Sequence, residues 1–137
     1  MKVLMIYTDE FRYTPQKQAL GDDLADQASE GAFEKSLAGF IHVEQSDKEN
    51  IQAVETKLVK NLKWAARKNE TQSIILHSFS HLSDSKAEPD LTKQLFNRVE
   101  KRLLDAGYSV SQTPFGYFLD LQLRAPGHPL ARLFKSF

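Results

Sequence analysis

The chain has no cysteine, which removes disulfides and thiolate metal sites from consideration. It lacks an excess of either charge, since eighteen Lys and Arg stand against eighteen Asp and Glu. No global basic field announces nucleic acid, and any RNA contact must rest on a local patch. No run of about 18 apolar residues occurs, and Met1–Ile6 is too short for a signal core, so the default location is cytoplasmic. Nothing repeats with a solenoid-like period. There is no glycine-rich phosphate loop before a helix and no nucleophile elbow.

What is present is an ordinary globular composition, 41% apolar and 26% charged over 137 residues. That length predicts a single module spanning residues 1–137, with one core. Val3–Tyr7 is a continuous apolar run and reads as a strand buried on both faces. Phe11 and Tyr13 alternate with polar neighbours and predict a second strand that reverses after Asp9-Glu10. From Gln16 to Lys35 the sequence is polar and acidic, predicting a long surface excursion with at most one helical turn near Leu24–Ala28.

Leu37–Val43 returns to a strand. Ser46 and Glu49 have the spacing of a capping box, with Asp47 as a rival cap. Ile51, Val54, Leu58, Leu62 and Ala65 then recur at helical spacing, and Lys57, Lys60 and Lys63 lie mostly opposite as a solvated face. Ser73–Phe79 is a third apolar run. A second helix is predicted from about Asp90 to Ala106 on Leu91, Leu95, Val99 and Leu103, with Gly107 as its stop. Tyr108–Val110 and Gly116–Leu123 supply the last strands. Ala125-Pro126-Gly127 breaks the chain, and His128-Pro129 opens a short helical tail. The pattern predicts an α/β fold: a mixed sheet covered by two long helices, plus a short C-terminal helix.

Two segments attract a chemical reading. His81 follows a buried strand, at the mouth of a sheet where side chains converge on ligands. A histidine there can orient water, accept a proton or donate to a carbonyl. Taken alone, it is equally a surface or structural histidine. Pro114–Asp120 places Gly116 between aromatic residues, which marks either a bulge or a close approach of the backbone to a ligand. His77 and His81 are four apart, but on a strand and its exit, so helical zinc spacing does not apply and no metal site is expected.

Three phrases in order, Ser78-Phe79-Ser80-His81-Leu82-Ser83, Pro114-Phe115-Gly116-Tyr117 and Gly127-His128-Pro129-Leu130-Ala131, resemble the N-terminal editing domain of archaeal-type threonyl-tRNA synthetases. The resemblance covers nearly the whole chain. It implies the fold shared with D-aminoacyl-tRNA deacylases, and hydrolysis of serine wrongly attached to threonine tRNA. It implies His81 as the catalytic residue, with Phe79, Ser80, Phe115, Gly116, Tyr117, Phe118 and His128 around the substrate. The implied partners are the aminoacylated 3′ end of tRNA, a second copy in a homodimer, and a synthetase catalytic domain in cis or in trans. No cofactor is implied.

Two positions depart from the pattern. A lysine is expected where Leu119 stands, and a glutamate where Arg132 stands. Asp120 is one position off, so on a regular strand it faces away from Leu119. The departures open two alternatives: a catalytically weakened tRNA-end-binding or assembly module, and a deacylase for another ester such as D-aminoacyl-tRNA.

Overall fold

A computed structural model describes residues 1–137, with strands β1 (Lys2–Gln18), β2 (Gly31–His42), β3 (Ser73–Ser78), β4 (Ser109–Gln112), β5 (Tyr117–Arg124) and β6 (Arg132–Ser136). Helix α1 (Ile51–Lys68) lies between β2 and β3, and α2 (Pro89–Asp105) between β3 and β4. The sheet order is β4-β3-β2-β1-β5, with β6 also paired to β1. β2–β3 and β3–β4 are parallel, and every pairing of β1 is antiparallel. The sheet is mixed, as expected.

The expected reversal at Asp9-Glu10 does not occur. β1 runs through it, with Thr8 opposite Ser36 and Glu10 opposite Glu34. A tight hairpin there needs positive φ at its centre, and the Asp-Glu dipeptide offers no glycine or asparagine for it. Instead the strand bends. Val3 and Met5 join the core beneath the helices, whereas Phe11 and Tyr13 join a cluster with Ala38, Phe40 and Ile75. All four are odd-numbered, so the alternation changes face between them. The ladder omits the Asp9–Lys35 pair at that point, and Lys35 takes φ 50°.

β1 also extends to Gln18 and β2 begins at Gly31, so the surface excursion shrinks to residues 19–30. This loop grips the segment that precedes β5. The amides of Ala19 and Leu20 donate to the Gly116 carbonyl at 2.7 and 3.2 Å, and Asp26 N–H donates to the Phe115 carbonyl at 2.9 Å. Asp26 Oδ2 accepts the Phe115 N–H at 2.9 Å and pairs with Lys93 at 2.9 Å. Gly116 has φ 91°, and a Cβ there would meet Ala25 Cα at 3.0 Å.

Both helices form where their apolar periodicity predicts. Leu58, Leu62 and Ala65 of α1 and Leu95, Val99 and Leu103 of α2 are buried against the sheet, joined by Phe96. Each large aliphatic side chain so buried contributes about 1.5–3 kcal/mol. The turn ahead of α1 uses Asp47 in place of the Ser46–Glu49 box. Asp47 Oδ2 accepts the Glu44 N–H at 2.8 Å, and its Oδ1 accepts from the Met1 ammonium at 2.9 Å. The short C-terminal helix is reduced to one 3-10 turn, Pro129–Ala131. The chain then continues as β6, where backbone pairing with β1 satisfies more polar groups than another helical turn of a five-residue tail would.

The Met1 ammonium is buried and also donates to Glu44 Oε1 at 2.5 Å. That hydrogen bond holds the Glu44 carboxyl down to about 2, against the opposing push of burial. A depressed carboxyl contributes its full stability above the ordinary value of 4.5 and loses it as pH falls towards 2. Glu44→Gln is expected to cost about 2 kcal/mol at pH 7. In urea titrations followed by circular dichroism, its gap from the natural protein should close between pH 5 and pH 2. Gly116→Ala is expected to cost about 1–3 kcal/mol in thermal unfolding, because it combines left-handed strain with the Ala25 contact.

Candidate functional site

β3 and β4 are adjacent parallel strands, and both carry the chain out at their carboxyl ends, the usual crevice of an α/β sheet. After β3, Phe79 N–H still reaches the Ile41 carbonyl at 2.9 Å, and His81 N–H turns back to the Phe79 carbonyl at 2.9 Å. After β4, Thr113 N–H bonds the Leu76 carbonyl at 3.0 Å, and Pro114-Phe115-Gly116 follows. Between the two exits lies a cleft of about 530 Å³. Ser80 and His81 from the first exit and Phe115, Gly116, Tyr117 and Phe118 from the second all line it.

His77 and Thr113 also line the cleft, and His77 Nδ1 lies 2.9 Å from Thr113 Oγ1. The imidazole is enclosed by aromatic rings, with Phe40 edge-on at 5.0 Å and Phe79 at 6.0 Å between centroids. Burial, and secondarily the neighbouring His81, push its pKa down to about 4. At neutral pH His77 is therefore an uncharged polar group. Phe79 lies behind the cleft wall and packs edge-on against His81, ring centroids 4.9 Å apart, which limits the rotamers open to that exposed imidazole. The amide of Phe79 is spent on Ile41, whereas the Ser80 and Gly116 amides make no hydrogen bond within the protein. Two residues that line the cleft thus keep an N–H without a partner in the protein.

Several residues are placed otherwise than the sequence suggested. His128 is exposed ahead of the 3-10 turn and does not line the cleft. Its neighbour Leu130 is held through its carbonyl by Asn69 at 2.8 Å, at the end of α1, and this directs the tail away from β3. Arg132 begins β6, which pairs with β1, and does not line the cleft. Its Nη1 donates to the Pro126 carbonyl at 3.0 Å. Leu119 lines the cleft but packs against the Phe11–Phe40 cluster. Asp120 lies on the other face and accepts from Gln16 Nε2 at 2.7 Å. The close approach at Gly116 comes in part from the chain itself, through Ala25.

Lys86 and Glu88 also line the cleft, from a polar loop that carries no motif. Their only local signal was Pro89, which starts α2 and fixes the segment before it in an extended conformation, with Glu88 at φ −59° and ψ 143°. His77 carried a clearer signal, since Ile75, His77 and Phe79 fall on one face of the strand.

A family model described as the archaea-specific editing domain of threonyl-tRNA synthetase matches residues 1–137. The chain is 32% identical over 137 residues to a threonine–tRNA ligase of Methanosphaera stadtmanae, and 33% identical over 138 residues to one of Thermococcus kodakarensis. In both comparisons 99% of this chain is covered but only 22% of the ligase, so the chain spans about a fifth of these relatives. Among solved structures, the c-Myc DNA Unwinding Element Binding Protein matches with a TM-score of 0.70 at 10% identity, covering 100% of this chain and 99% of its own. That is a likeness of fold, and the α/β architecture with its mixed sheet and two long helices stands with it. With the family model spanning it from end to end, the chain belongs to the archaea-specific editing-domain family of threonyl-tRNA synthetase.

Proposed function

We propose that this chain is a deacylating editing module that hydrolyses serine mischarged on threonine tRNA. The observation that carries the reading is the single cleft that holds both His81 and the Phe115–Phe118 ribbon. An aminoacyl ester is activated, so a positioned water, donors for the developing oxyanion and partial exclusion of solvent suffice. Water attacks the ester carbonyl carbon while His81 orients it and accepts its proton. The Ser80 and Gly116 amides suit the resulting oxyanion. The C–O bond to the ribose then breaks, the proton passes to the ribose oxygen, and free serine leaves. Phe118, 59% exposed at the rim, offers a ring for the terminal adenine.

Translation editing places the module in the cytoplasm, acting on the aminoacylated 3′ end of tRNA and with a synthetase catalytic domain in cis or in trans. The exposed Leu121 and Leu123 of β5 and Phe134 of β6 suit a second copy of the chain, in keeping with a homodimer. No cofactor enters this reaction scheme.

A second reading is favoured by Leu119. It brings an aliphatic side chain to the cleft where the resemblance calls for a lysine, and Arg132 does not line the cleft to replace that charge. The module then binds the tRNA end without efficient hydrolysis. Hydrolysis of seryl- and threonyl-tRNA by the natural protein, His81→Ala and Leu119→Lys separates the two. The editing reading expects measurable seryl-ester hydrolysis that falls about 10²-fold in His81→Ala. An inactive natural protein with an active Leu119→Lys variant establishes the binding reading, and inactivity in all three removes the deacylase.

A further inference from the structure

Of the residues lining the cleft, Lys86 is the only lysine or arginine and Glu88 the only carboxylate. Both side chains are exposed, and neither enters an ion pair or a side-chain hydrogen bond, with each other or with anything else. Lys93, whose Nζ lies 5.6 Å from the centroid of the Phe115 ring, is by contrast committed to Asp26 and Gln112.

The segment carrying Lys86 and Glu88 is fixed on both sides. His42, fully buried, bridges it: its Nδ1 accepts from Leu82 N–H at 3.0 Å, which leaves Nε2 to donate to the Ser85 carbonyl at 2.6 Å. Ser85 Oγ accepts from Gln45 N–H at 3.0 Å, and Ala87 N–H donates to the Val43 carbonyl at 2.9 Å. Free charges on a segment held this firmly lose little backbone entropy when they engage a ligand.

We propose that Lys86 and Glu88 are charge-reading groups for the aminoacylated end of tRNA, the Lys86 ammonium taking a backbone phosphate of the terminal nucleotides and the Glu88 carboxylate taking the α-ammonium of the esterified amino acid. This rests on the cleft being the aminoacyl-end site and extends it. The charges of such a substrate match the wall: one cation beside the ester, and an anion on the nucleotide that carries it. A carboxylate that accepts from an ammonium forms the stronger, charge-assisted kind of hydrogen bond. It also separates charged from uncharged tRNA, since the free 3′ end has no amine.

The test uses a CCA trinucleotide bearing serine through a 3′-amide, which cannot be hydrolysed, and its N-acetylated counterpart. Binding is measured between 50 and about 200 mM salt. In the natural protein, N-acetylation is expected to weaken binding about tenfold or more, and in Glu88→Gln that penalty should vanish. In Lys86→Ala the slope of log affinity against log salt should fall by about 0.7, and Lys86→Arg should restore it. Urea midpoints of the variants should match the natural protein, since neither side chain has a partner to lose. An unchanged slope in Lys86→Ala, a persisting acetyl penalty in Glu88→Gln, or no binding by the natural protein overturns the assignment. Because the amide reports binding alone, ester hydrolysis lost with these effects intact counts against the editing reading and leaves this one standing.

Discussion

Four residues, Thr113 to Gly116, connect β4 to β5, yet these strands stand at opposite edges of the sheet. In a flat sheet the edges would be four spacings apart, roughly 19 Å, before any offset along the strands. The five peptide steps from Gln112 to Tyr117 reach at most roughly 18 Å, and only if fully extended straight across the sheet. The sheet must therefore curl until its edges approach, and the other features answer to that requirement. β1 is long enough to pair with β2, β5 and β6, and it changes face near Asp9 as it bends. The short connector, latched to Asp26 and Ala19, becomes one wall of a cleft whose other wall is the exit of β3.

Curling also explains why the cleft is chemically mixed. Its floor belongs to an aromatic cluster on the face away from the helices, in which His77 is kept neutral by burial. Its walls are loop backbone, which leaves two amides without partners. The formal charges come from a third segment, between β3 and α2, pinned by His42 and Val43. Apolar enclosure, backbone donors and sparse charge thus arrive from three stretches of sequence.

Local order was legible in the sequence. The two helices, the apolar strands at Val3, Leu37 and Ser73, and the stop at Gly107 each follow from a period or a cap that a few residues define. The through-running β1 and the terminal β6 were not, because both depend on partners far along the chain. Ile6, for example, pairs with Arg132, and the polar residues of β6 show no period that would mark a strand. Within the cleft, His81 and Gly116 stood out because their neighbours form recognisable phrases. Lys86 and Glu88 did not: in a polar loop, orientation is set by hydrogen bonds to residues about 40 positions away, which no local pattern records. The absence of Arg132 and His128 from the cleft lining has the same origin, in the pairing of the tail with β1.

The curl makes occupancy of the cleft a mechanical matter. A ligand touching both Ser80 and Gly116 spans the seam between the exit of β3 and the connector that joins β4 to β5, and acts there as a clasp. Its binding free energy opposes the opening of that seam. The outer strands β4 and β5, otherwise each held from one side only, gain most from being fastened.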